Sequence, residues 1–181
     1  MKKDLYLQDR LTNGEILEIR NASATDGEAY SRLLRRCGCE TDNLSFGAED
    51  CPYTETFSHS YLEHLDDESG SLALLAFVND ELIGEITLSA QPRRFSHTAE
   101  LGICVVQDWC GRGIGTRLME AALSWARQSD RLRSIFLSVN RENQGAIRLY
   151  ERFGFVQYGF YEANSFYNDS YHDTVLMNLH F

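Results

Sequence analysis

Only 2 prolines occur in 181 residues, no apolar run approaches the roughly 18 residues that cross a bilayer, and no Lys or Arg stands between Cys37 and Pro92. Scarce proline beside 43% apolar, 12% aromatic and 24% charged residues excludes a disordered or fibrous chain. What remains is a chain with a core to build, at a length that suits one domain. With no membrane span, and no apolar segment after Lys2 and Lys3 to act as a secretory signal, the expected setting is cytoplasmic. The 5 cysteines are odd in number and include no Cys-x-x-Cys. Neither a disulfide framework nor a zinc cage is expected, and Cys37, Cys39, Cys51, Cys104 and Cys110 read as reduced thiols. His59 and His64 lie five apart, off a shared helical face, so no metal is expected there either.

What is present is charge, unevenly placed. The net charge is −10, which argues against nucleic acid as a partner because phosphate binding needs a basic surface. Twelve acids fall between Cys37 and Pro92, among them Glu40, Asp42, Glu63 and the run Asp66, Asp67, Glu68. From Arg112 to Arg152 the balance reverses, with eight arginines against Glu120, Asp130, Glu142 and Glu151. This segregation suits a positive site for a phosphorylated ligand beside a negative one for a cationic acceptor.

Periodicity orders the chain. Leu5 to Leu11 and Glu15 to Arg20 flank Thr12-Asn13-Gly14 and predict a hairpin. Thr25 and Glu28 have capping-box spacing ahead of Tyr30, Leu33, Leu34 and Cys37, which predicts a helix over Asp26 to Arg36. A second helix carries Phe57, Tyr61, Leu62 and Leu65. Leu72 to Val78 and Leu82 to Ser89, around Asn79-Asp80, form an apolar hairpin, and Thr98 to Val106 is the next strand. Ile114, Leu118, Ala122 and Trp125 mark one face of a long helix ending near Ser129. Strand Ile135 to Val139 precedes a helix with Ala146, Ile147, Tyr150 and Phe153, stopped by Gly154. Two antiparallel strands, Phe155 to Phe160 and Tyr171 to Leu179, follow with a polar loop between them. The class is α/β, with no second domain boundary.

Chemistry concentrates where the strand ending at Val106 passes through Gln107-Asp108-Trp109-Cys110-Gly111-Arg112-Gly113-Ile114-Gly115-Thr116 into a helix. Glycines let backbone N–H groups approach an anion, the first helical turn leaves its N–H groups unpaired at the positive end of the dipole, and Arg112 and Arg117 add charge. The spacing Gly111, Gly113, Gly115 lacks the last glycine of Gly-x-Gly-x-x-Gly, and no Gly-Lys-Ser/Thr follows, so both nucleotide motifs fail.

Read with Leu137-Ser138-Val139, Asn143, Ala146, Leu149-Tyr150-Glu151 and Gly154-Phe155, the segment resembles the acetyl-CoA-binding signature of the GNAT superfamily of N-acetyltransferases. The resemblance spans roughly Glu15 to Leu179 and implies a single-domain GNAT fold over 1–181, with its hairpin at about 5–20 and its cofactor-binding core at about 98–155. That fold is a mixed, mostly antiparallel sheet with a central splay and helices on both faces. Acetyl-CoA is the implied co-substrate, held by Cys104, Val105, Gly111, Arg112, Gly113, Ile114, Gly115, Thr116, Arg117 and Asn143. The N–H of Cys104 or Val105 would face the thioester oxygen. Two residues depart from the pattern: Cys110 stands at the usual Gln/Arg and Gln107 at the usual Pro.

The resemblance further implies acetyl transfer to a primary amine by direct attack in a ternary complex. An amine of pKa about 10.4 is about one part in 2,500 neutral at pH 7, roughly 4.6 kcal/mol from its reactive form, so a base is needed. Glu100 matches the family's base and Tyr150 its general acid. A route through an acetyl-cysteine at Cys104 or Cys110 is the lesser reading, and a catalytically idle acyl-CoA-binding sensor is the rival. The acidic stretch favours a small-molecule or peptide amine of cationic character. Tyr158, Tyr161, Phe166, Tyr167 and Tyr171 cluster where the family closes its acceptor pocket, and an edge-strand homodimer through the tail is compatible with the pattern.

Overall fold

Residues 5–47 and 49–181 are described by a computed structural model, and the chain start with Lys2 and Lys3 lies outside the described residues. Strands β1 (Tyr6–Arg10) and β2 (Ile16–Asn21) form the expected hairpin. Only Gly14 uses the left-handed region, at φ 90°, so the loop closes through the Gly14 N–H to the Leu11 carbonyl at 2.9 Å rather than as a two-residue Asn-Gly turn. Helix α1 (Gly27–Glu40) follows. Its entry corrects the expected Thr25/Glu28 cap. The Asp26 carboxylate accepts from the Ser23 N–H at 2.8 Å and from the Arg20 guanidinium at 2.8 and 2.7 Å, while Glu28 pairs with Arg32 one turn on.

Helix α2 (Glu55–Asp67) is capped by the Thr54 hydroxyl, which accepts from the Phe57 N–H at 3.3 Å. Next come β3 (Leu72–Val78) and β4 (Glu81–Ala90), joined by Asn79 and Asp80 at φ 49° and 64°, conformations that these two residue types tolerate. Then come β5 (Thr98–Val105), α3 (Ile114–Arg127), β6 (Ser134–Asn140) and α4 (Gln144–Arg152). The tail departs from expectation. Instead of two short strands and a polar loop it is one long hairpin, β7 (Val156–Tyr167) and β8 (Ser170–His180), turned by Asn168 and Asp169 alone. Polar residues stay in the ladder because a register shift between Tyr161 and Ser165 absorbs Ala163 at φ 51°. There Asp173 accepts the Ala163 N–H at 3.0 Å, and the Asn164 amide donates to Thr174 at 2.9 Å.

One sheet runs β1-β2-β3-β4-β5-β6-β8-β7, antiparallel throughout except for β5 with β6. Those two pair only from Thr98–Ser134 to Glu100–Phe136, after which β5 stays with β4 to Val105 and β6 stays with β8 to Asn140. A wedge-shaped gap opens between them. Helix α1 covers the face that carries Glu85, Thr87 and Ser89, and α3 covers the opposite face, where Gly115 passes Ile103 and Leu149. Leu74, Ile86, Leu88, Leu118, Ala122 and Ile135 are among the side chains that seal this core.

Candidate active site

At the open end of the gap the glycine turn has the conformation that its sequence suggested. Gly111 and Gly113 sit at φ 75° and 80°, and Gly113 is the N-cap of α3 without any side-chain cap. The N–H groups of Ile114, Gly115 and Thr116 have no protein acceptor among the described residues, so they stand free for an anion. Arg112 is exposed beside them, its guanidinium 4.7 Å from the Trp109 ring centre. Arg117 is turned the other way, onto Asp9 of β1 and, at 3.2 Å, the Gly113 carbonyl, so it braces the turn from behind. A second cation reaches the turn from α4: Arg152 donates to the Thr116 hydroxyl at 3.3 Å. Sequence reasoning passed over Arg152, although its place three residues before Phe155 of the second signature could have drawn attention to it.

Both departures from the family pattern have structural counterparts. The Cys110 thiol points inward, 3.5 and 3.6 Å from the Val105 and Val106 carbonyls. The Gln107 N–H donates to the Glu40 carboxylate at 2.7 Å, a bond that proline could not make. Arg36 extends this brace, reaching Glu40 and Glu81 at 2.8 Å and Asp108 at 3.1 Å, so the end of α1 fixes the approach to the turn.

Strand alternation decides which backbone donor faces the gap. The Val106 N–H pairs with the Ile83 carbonyl of β4 at 3.0 Å, and in the unbroken β4–β5 register this assigns the Cys104 N–H to the same ladder. The Val105 N–H therefore points toward the gap left by β6. Of the two donors expected at the thioester oxygen, Val105 is the one whose N–H faces the gap. Across the gap, Asn143 caps α4, its Oδ1 accepting from the Ala146 N–H at 3.1 Å. Tyr150 is buried with its ring 5.9 Å from Phe155, and its hydroxyl has no partner among the described residues. Burial, reinforced by Glu85, holds its proton well above the ordinary tyrosine range.

A cavity of about 270 Å³ lies on the α1 side, lined by Tyr30, Tyr53 and Tyr61, by Thr87 and Ser89, and by two carboxyls, Glu85 and Glu100. Glu100 is exposed within it. Glu85, missed by sequence reasoning, is 4% exposed and paired in register with Cys104. Burial, then the Cys37 thiol, pushes it up to about 8. The signal for it was present: Glu85 is the only charge inside the apolar run Leu82 to Leu88. The Cys104 thiol is itself pushed well up by its hydrogen bond with Cys37 and by burial, which makes it a poor nucleophile. None of the five tail aromatics lines the cavity. Tyr167 comes nearest in role, accepting from the Asn140 amide at 2.6 Å, while the hairpin tip reaches the loop after α1 through Asn168 and Asp42 at 3.0 Å.

The turn fits a diphosphate, the gap an extended thiol-bearing arm and the cavity a nucleophile. Comparison with known proteins identifies the family. The model of the acetyltransferase (GNAT) family matches residues 37–155. The chain is 32% identical over 160 residues to the L-amino acid N-acetyltransferase AaaT of Escherichia coli, covering 88% of this chain and 94% of that protein. It is 29% identical to the spermidine N(1)-acetyltransferase of Vibrio cholerae, covering 81% and 84%. The crystal structure of a GNAT-family acetyltransferase from Streptococcus pneumoniae superposes with a TM-score of 0.87 at 30% identity, covering 91% of this chain and 99% of that one. The phosphinothricin acetyltransferase of Sinorhizobium meliloti, solved with acetyl-CoA, shares the fold with a TM-score of 0.80 at 19% identity, covering 90% and 87%. The chain belongs to the GNAT acetyltransferase family. It is an acetyl-CoA-dependent N-acyltransferase.

Proposed function

We propose that this enzyme moves acetyl from acetyl-CoA to a primary amine by direct attack within a ternary complex. The observation that carries this is the gap between β5 and β6, which has the Val105 N–H on its edge, free helix donors at one end and a carboxyl-lined cavity on its flank. The Gly111–Thr116 turn, with Arg112 and Arg152, binds the diphosphate, Arg117 stiffens that turn, and Asn143 orients the pantetheine arm. The thioester supplies the acetyl group. Val105 donates to its oxygen as charge develops there, an effect typically worth about 3 to 4 kcal/mol.

Glu100, open to the cavity, receives the amine proton through water. Glu85 at about 8 is only about one-tenth ionised at pH 7, so little of it is in the basic form there. Tyr150 returns a proton to the departing thiolate at a cost of about 2 kcal/mol before its burial is counted. The acidic cavity suits an acceptor that arrives as a cation. Unpaired cysteines suit a cytoplasmic setting, and the exposed β7 edge suits a homodimer.

The test follows released thiol with polyamines, amino acids and N-terminal peptides as acceptors. Glu100→Gln and Tyr150→Phe are expected to slow turnover about a hundredfold, the usual scale for a lost base or acid. Cys104→Ser and Cys110→Ser should leave no acetyl-enzyme to lose. Unchanged turnover in the first two, or a trapped acetyl-cysteine, overturns the reading.

A further inference from the structure

The cavity beside the thioester position has carboxyls and rings but no counter-charge for an acid. No Lys or Arg is among its lining residues, and none occurs between Cys37 and Pro92, the stretch that builds most of its wall. Several guanidinium groups are engaged elsewhere: Arg36 with Glu40, Glu81 and Asp108; Arg20 with Asp26; and Arg141 with Asp173 at 3.0 Å while it covers Phe160. The sheet places Glu85 and Glu100 on one face, because register partners share a side and both lie in the series Glu85–Cys104, Thr87–Gly102, Ser89–Glu100. Opposite them Tyr53 is packed edge-on against Tyr30 and Tyr61 at 5.9 and 5.6 Å, with Phe46 at 5.5 Å. The rings and the Glu100 carboxyl attract an ammonium group, whereas a carboxylate one carbon from the reacting nitrogen would face Glu100 and the mostly protonated Glu85 with no cationic partner.

We propose that the acceptors are primary amines whose amine-bearing carbon carries no carboxylate, alkyl- and arylalkylamines, and that free α-amino acids are rejected. The proposal rests on the N-acetyltransferase reading and narrows its substrate. It also separates this enzyme from the relative named for L-amino acids, with which it shares 32% identity. A cavity of about 270 Å³ admits either member of an amine and amino acid pair, so charge rather than size makes the choice.

The experiment compares matched pairs that carry one amine each, tyramine with tyrosine and phenethylamine with phenylalanine, by kcat/KM calculated on the neutral amine, with CoA binding followed by thermal shift. The expected result is a preference for the decarboxylated member of at least about tenfold, which shrinks in 0.5 M salt as the like charges are screened. Ser45→Arg adds a cation to the exposed lip of the cavity and is expected to narrow the preference about fivefold without altering CoA binding. Equal or better use of the amino acids overturns the proposal while leaving the acetyltransferase reading standing. An unchanged preference in a folded Ser45→Arg variant overturns the charge argument. Silence with every amine while CoA binds overturns the acetyltransferase reading and the proposal together.

Discussion

Glu85→Gln isolates the least comfortable group in the molecule. The Glu85 carboxyl lies inside the sheet with its Oε2 unpartnered among the described residues, and its pKa is pushed from an ordinary 4.5 to about 8, chiefly by burial. Between those two values the unfolded chain has lost a proton that the native chain retains, so stability falls as pH rises. Each pH unit in that window is worth about 1.4 kcal/mol, and the whole amounts to about 5 kcal/mol of native stability present below pH 4.5 and gone above pH 8. Glutamine keeps the shape and a neutral head, so it escapes the loss. Urea unfolding of the two proteins should agree within about 1 kcal/mol at pH 5 and diverge in favour of Glu85→Gln by several kcal/mol at pH 8.5. A difference that is constant from pH 5 to pH 9 would refute the assignment, because a lost packing or hydrogen-bond contact has no reason to track that titration.

Three further outcomes follow from named contacts. Gly113→Ala forces a Cβ onto φ 80° and within 2.6 Å of the Arg117 guanidinium. It should cost about 1 to 2 kcal/mol, read by thermal melting, and raise the KM for acetyl-CoA about tenfold as the α3 donors tilt. Tyr150→Phe removes a hydroxyl without a partner, so melting should move by less than about 1 kcal/mol while kcat drops about a hundredfold; a large loss of stability would assign the hydroxyl to packing. Asn143→Ala loses the α4 cap, about 1 kcal/mol, and an unchanged melting temperature would argue that the bond to Ala146 contributes nothing.

Elements with strong period or punctuation were legible in the sequence: the Ile114 to Trp125 face, the Asn79-Asp80 turn, and the glycine turn that ends as the N-cap of α3. The glycine turn with its free donors was legible because it is local, built from consecutive backbone groups. The acceptor side was not, because it is assembled across the sheet. Glu85 becomes a cavity group only when its register with Cys104 and the cover of α1 are known. Arg152 approaches the turn only once α4 packs beside α3. The choice between Cys104 and Val105 needed strand parity, which residue types do not encode. The tail was misjudged for a related reason: polar residues from Glu162 to Ser165 read as loop, yet side-chain bonds from Asp173 and Thr174 hold them in the hairpin.

Charge segregation links these parts into a cycle. The arginines stand at the turn and the carboxyls on the flank of the wedge, so on the proposed reading an anionic co-substrate and a cationic acceptor have separate approaches. Acetylation changes only one of the two attractions. On the proposed reading, the amide product no longer ionises and loses its attraction to the carboxyls, while the spent CoA keeps its phosphates and so its attraction to the donors of Ile114, Gly115 and Thr116. CoA is therefore expected to leave last, from a turn of backbone donors braced through Gln107, Glu40 and Arg36, and product-inhibition kinetics with CoA and the acetylated amine check that order.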